Sequence, residues 1–152
     1  MTGTEEIVIA SNELTMDVHK SLFHLPDEWY ILMNGITFES LSSITKELKR
    51  LHLSLNWLDM IRFGTWQEAP DWRDTFLLLK KVGITIDELK PFRDSPVTDI
   101  LPYLYYGKRF DILRRICAVT KKNIEQKIMG KIAKVNCHLV YEETSSIIAS
   151  SL

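Results

Sequence analysis

An all-helical bundle is the fold class this sequence predicts, and three observations predict it. Between Pro26 and Lys122 apolar residues recur at intervals of three and four, the spacing of a single helix face. Gly35, Gly64, Gly83 and Gly107 fall where the periodic stretches stop, as helix terminators do. No stretch reads as a strand, and no internal repeat or low-complexity tract interrupts the pattern. The expectation is an antiparallel bundle of six helices or slightly more on residues 26–120, with a short extra helix before it and an extended helix after it.

Residues 1–12 are small and polar and read as loose. Asn12 or Thr15 can cap a short helix carrying Met16, Val18, His19, Leu22 and Phe23, which ends before Pro26. Asp27 and Glu28 start a second helix through Trp29, Ile31, Leu32 and Met33, ended by Gly35. Thr37 opens the next, with Phe38, Leu41, Ile44, Leu48 and Leu51 stepping by three and four. The segment 53–63 reads as another short helix before Gly64, and Trp66 to Pro70 as a loop. Asp71 or Asp74 caps a helix through Trp72 and Phe76 to Leu79 that fades at Gly83, and Pro91 cuts short a helical start at Ile84 to Leu89. Pro96 opens a helix reaching Tyr106, and the last helix runs from Lys108 past Thr120. From Asn136 onward the chain reads as a flexible end. The organisation expected is an extension (1–25), a bundle (26–120), and a basic helix with tail (121–152).

With 152 residues, 45% of them hydrophobic and 26% charged, the chain is of ordinary globular make-up, long enough to bury a core. No run approaches the length that spans a bilayer. Glu5 and Glu6 stand where a signal peptide would carry positive charge, so a cytoplasmic location is expected. Cys117 and Cys137 make neither a disulfide framework nor a metal motif. There is no Gly-rich phosphate loop, no HExxH and no GxSxG, and His19, His24, His52 and His138 are scattered. These absences lead to an expectation of no catalysis, cofactor, metal or small-molecule substrate.

The net charge of −1 conceals an asymmetry: residues 1–70 hold ten acids against five bases, and residues 108–134 nine bases against Asp111 and Glu125. Such polarity suits head-to-tail association between copies, because opposite patches steer encounter and fix register.

The densest motif lies at residues 98–116, where a helix ending at Tyr106-Gly107 is followed by Arg109-Phe110-Asp111-Ile112-Leu113. Arginine and aspartate two apart do not face each other on a helix, so each is free to bond elsewhere. The run resembles the RxDL signature joining the last two helices of death effector domains. Trp29 to Met33 is similar to that family's first helix, and Lys46 to Leu53 to its second. The stretch from Asp99 to Lys122 resembles its caspase-inhibitory members most.

The resemblance implies a six-helix bundle of the death-fold type. It also implies a non-enzymatic homotypic interaction module, an adaptor or inhibitor in apoptotic or innate immune signalling. The partners implied are proteins with like domains, or further copies of this chain. Arg109 would bond a carboxylate on helix two and Asp111 would bond Arg109. The ungapped register puts Ile44 at that acidic position, with Glu39 or Glu47 as substitutes if it shifts. Lys49, Arg50, His52 and Leu53 would form a partner-facing patch, joined by Lys108, Arg114 and Arg115. Two other readings stand beside this one. The basic segment 108–134 could serve a helical nucleic-acid-associated protein, although it lacks interleaved aromatics. Alternatively, the chain could be an obligate structural subunit of a larger complex.

Overall fold

Ile7-Val8-Ile9-Ala10 combines β-branched residues with burial on both faces, the composition of a strand inside a parallel sheet. In the computed structural model it forms strand β1 (Glu6–Ala10), one of five strands in a mixed sheet. The structure describes residues 6–34, 37–45, 48–128 and 134–151. The other strands are β2 (Tyr30–Leu32), β3 (Arg50–Leu55), β4 (Lys134–Tyr141) and β5 (Ser146–Ser150). They lie in the order β2-β1-β3-β4-β5, the first four parallel and β5 antiparallel to β4.

The sheet overturns the all-helical expectation, including the six-helix antiparallel bundle that the family resemblance implied. Leu51-His52-Leu53-Ser54-Leu55 alternates with period two and pairs with β1 on one side and β4 on the other. The helix expected to continue to Leu51 ends at Thr45 as α2 (Phe38–Thr45). Trp29 to Met33 is not a helix either; a single 3-10 turn leads directly into β2. The loose N-terminus and the flexible tail, from residue 6 to residue 151, are also corrected. They supply β1, β4 and β5, and β1 and β4 flank β3 at the heart of the sheet.

The helical expectations hold where amphipathic periodicity is long. Helix α1 (Glu13–Phe23) begins with Asn12 accepting the Thr15 N–H while Thr15 Oγ1 accepts the Asn12 N–H, so both expected caps act together. Between β3 and β4 come α3 (Trp57–Thr65), α4 (Trp72–Lys81), α5 (Ile86–Leu89), α6 (Ile100–Tyr106) and α7 (Phe110–Lys127).

Alternation along the strands sorts the two faces. Ile7, Ile9, Leu51, Leu53, Leu55, Val135, Cys137 and Leu139 join the core that contains Met60, Phe63, Leu113, Ile116 and Ile124 of α3 and α7. The opposite face, carrying His52, Ser54, Asn136 and His138, lies under α1. Cys117 and Cys137 are both buried and unpaired, and burial pushes the Cys117 thiol up to about 12.

A sharp turn joins α4 to α5 at Gly83, whose φ of +111° disfavours any residue with a side chain. A Cβ there would stand 2.9 Å from Arg115 Nη1, which donates to the Val82 carbonyl at 3.1 Å. Gly83→Ala is therefore expected to destabilise the fold by at least about 1 kcal/mol, measured by chemical denaturation.

Candidate docking surface

Open α/β sheets usually bind ligands at the carboxyl ends of their strands, where the strand order reverses. Here that point lies between β1 and β3, and the protein's own groups occupy it. Ser11 donates its N–H to the Ser54 carbonyl at 3.0 Å, and its hydroxyl accepts the Asn56 N–H at 2.9 Å. Asn12 caps α1 and donates through Nδ2 to Glu142 at 2.8 Å, while Asn56 caps α3 through the Asp59 N–H. The side chains that would greet a ligand there are spent on helix caps and strand-end bonds.

A different opening is unspent. On α4 the residues Thr75, Leu78 and Leu79, continued by Val82, step by three and four and are buried. Arg73, Phe76, Leu77 and Lys80 step by the same intervals along a second face. That second face and the segment 86–93 enclose a groove of about 550 Å³ lined by Trp72, Phe76, Leu77 and Ile86, with Arg73, Lys80, Lys90 and Arg93 also lining it. Leu77 is 60% exposed and Ile86 50%, so the floor is apolar and open to water. Lys90 pairs with Asp87 at 3.2 Å on the surface, whereas Lys80 and Arg93 form no salt bridge among the described residues. Trp72 Nε1 is buried without an acceptor. The lining contains four cations and no carboxylate.

Local sequence holds the groove in shape. Asp71 accepts the Asp74 N–H and Asp74 accepts the Asp71 N–H, a reciprocal cap fixing the start of α4. Thr85 caps α5 by accepting the Glu88 N–H at 3.2 Å. Leu89 is buried in the core beneath the groove, which pins the segment between Ile86 and Lys90.

The residues singled out in the sequence are dispersed. Arg109 does stand between two carboxylates: Nη1 lies 3.1 Å from Glu88 Oε1, and Nε lies 3.7 Å from Asp111 Oδ1. The Glu88 carboxylate comes from α5 and not from α2; Glu47 lies outside the described residues. The pair ties the start of α7 to the segment that walls the groove. Arg115 holds the α4–α5 turn through the Val82 carbonyl.

Arg114 is exposed and, with Asp111, Arg115 and Ser150, lines a shallower hollow beside β5. Lys108 is exposed at the α6–α7 junction with φ 58°. The patch expected on a second helix is corrected: Arg50, His52 and Leu53 belong to β3 and Lys49 immediately precedes it. Leu53 is fully buried in the core and His52 lies under the opposite face of the sheet, so neither faces a partner. Of the basic segment 108–134, residues 129–133 lie outside the described residues, and Lys127 sits 5.8 Å from the Trp66 ring.

Sequence reading missed Arg73, Phe76, Leu77 and Lys80 because Trp72 and Phe76 to Leu79 were read as one helix without a second face being told apart. The available signal was the doubled stripe. A helix with one apolar face for the core and a second apolar-basic face has more apolar surface than its own fold consumes. Comparison of the chain with protein-family models, curated proteins and solved structures finds no match in any of the three. Among the described residues no helix is long and apolar enough to cross a membrane.

Proposed function

We propose that this chain is a non-catalytic protein-interaction module whose groove between α4 and residues 86–93 takes an acidic amphipathic segment of a partner protein. The observation that carries the reading is an apolar, solvent-open floor whose lining carries Arg73, Lys80, Lys90 and Arg93 and no carboxylate, Asp87 pairing with Lys90 from outside the lining. Burying Leu77 and Ile86 against apolar side chains supplies the attraction. The four cations reject basic segments and orient acidic ones.

This reading keeps the interaction role expected from the sequence and moves it to another surface. The homotypic version rested on an all-helical bundle and a second-helix patch, and β3 stands in the place of both. The nucleic-acid alternative gains no comparable concentration of aromatic and basic side chains along α7.

The test compares two labelled peptides of equal length and hydrophobicity, one bearing Glu and the other Lys between its apolar positions, across a salt series. The acidic peptide is expected to bind saturably and to weaken with salt, and the basic one not to bind. Equal binding of both, or preference for the basic peptide, would contradict the reading.

A further inference from the structure

Three of the four histidines in the sequence, far apart along the chain, meet in one layer between α1 and the sheet. The His19 ring centroid lies 5.4 Å from that of His138 and 6.0 Å from that of His52. None of the three is more than 8% exposed. His19 Nδ1 lies 2.7 Å from the Tyr30 hydroxyl, and its Nε2 is buried with no partner. His138 Nδ1 meets Ser150 Oγ at 2.7 Å. His52 Nε2 lies 2.9 Å from Glu6 Oε1, and its Nδ1 lies 3.4 Å from Asn136 Nδ2.

Besides this layer, α1 is held by the Ser54 hydroxyl, which donates to the Thr15 carbonyl at 2.8 Å, and by the half-buried Leu14, Met16 and Val18. Its fully buried residues are Thr15 and His19, while Phe23, whose ring lies tilted 4.4 Å from that of His19 and 4.9 Å from that of His138, remains 39% exposed. A helix anchored through a threonine and an imidazole has few large apolar contacts to lose. Such elements open before the rest of a fold.

We propose that the His19–His52–His138 layer is an acid-operated latch: protonation on acidification releases α1 from the sheet while the α3–α7 side stays folded.

The groups facing the layer come from every element packed on it. The α1 helix contributes His19 and Lys20, and Lys20 sits over the Tyr30 ring and pairs with Asp27 at 3.6 Å. From the sheet come Glu6 of β1, Tyr30 of β2, His52 of β3, Asn136 and His138 of β4, and Ser150 of β5. Glu6 is the one carboxylate bonded to a layer imidazole among the described residues, and it is committed to His52. A proton on His19 or His138 would therefore sit beside two other imidazoles with no anion to answer it.

Burial first, and then the neighbouring imidazoles His138 and His52, holds His19 down at about 3. Burial and His52 hold His138 at about 4. In a released helix both would titrate near the ordinary value of about 6.5. The released state thus binds more protons between those limits, and falling pH favours it. The docking of α1 is at full strength above about pH 6.5 and declines progressively as pH falls toward 4.

The measurement is amide exchange of the full chain at pH 7.5 and pH 5, corrected for intrinsic rates. Protection across residues 13–23 is expected to drop by roughly two to three orders of magnitude, about thirtyfold per histidine, with α7 unchanged. His138→Gln keeps a partner for Ser150 and is expected to reduce the drop to roughly thirtyfold; His19→Gln provides a second variant should the first fail to fold. Loss of protection in α1 and α7 together would overturn the latch, as would pH-independent protection of α1. So would a full wild-type response surviving in either variant.

Discussion

Leu77→Glu is expected to reduce binding of an acidic amphipathic segment about a hundredfold while leaving the fold intact. Leu77 projects from α4 into the groove and is already 60% exposed, so the native state loses little by the change. In the complex the same side chain would be buried, and full burial of a leucine contributes about 1.5–3 kcal/mol. A glutamate there forfeits that gain and sets a carboxylate against an acidic ligand. With about 1.4 kcal/mol per factor of ten in affinity, the two effects together reach two orders of magnitude. Single charge reversals among the lining cations, such as Lys80→Glu, are expected to cost only a few fold, because exposed ion pairs contribute about 0–1 kcal/mol. Titration calorimetry with circular dichroism on the same samples separates lost binding from lost structure.

Leu53→Ala is expected to lower stability by about 2–5 kcal/mol and to have no selective effect on binding. Leu53 is fully buried on β3, flanked in register by Ile9 of β1 and Cys137 of β4, at the centre of the core. Truncation leaves a cavity that two hydrogen-bonded neighbouring strands cannot close. Urea denaturation reports the loss directly. Wild-type stability in this variant would contradict the central position of β3, since a surface leucine on a helix would cost little.

The helices between β3 and β4 were largely legible, because Trp72, Phe76, Leu79 and Val82, and Ile112, Leu113, Ile116 and Ile124, recur at helical spacing over about three turns or more. The strands were harder for a physical reason. Ile7 to Ala10 is a parallel strand buried on both faces, so it shows continuous apolar character and not alternation, while Val135 to Leu139 alternates over only five residues beside the polar Asn136 and His138. Leu51 to Leu55 did alternate, and the signal was outweighed by the i, i+3, i+4 spacing that ran into it from Phe38. A short run that satisfies both periods is decided by its neighbours in space, here β1 and β4, which the sequence does not display.

The resemblance carried by Arg109 to Leu113 drew attention to an ion-paired arginine, but its carboxylate partner Glu88 lies on α5 and not on a second helix. The histidine layer could not be read at all. His19, His52 and His138 share no spacing, and only the pairing of β3 with β4, under α1, brings them together. The groove was half visible, as a second stripe on α4 whose purpose becomes distinct only when Thr75, Leu78 and Leu79 are seen to satisfy the core.

The central claim, that the groove walled by α4 and residues 86–93 is the docking surface, is tested most directly by backbone amide chemical shifts of the labelled chain. The ligand is an acidic amphipathic peptide added stepwise at low salt. Saturable shifts concentrated on Trp72 to Lys81 and Ile86 to Arg93, and suppressed in Leu77→Glu, are the result predicted. Shifts clustered instead around Ser11, Asn12 and Asn56, or along β5, would contradict it, as would the lack of any saturable change.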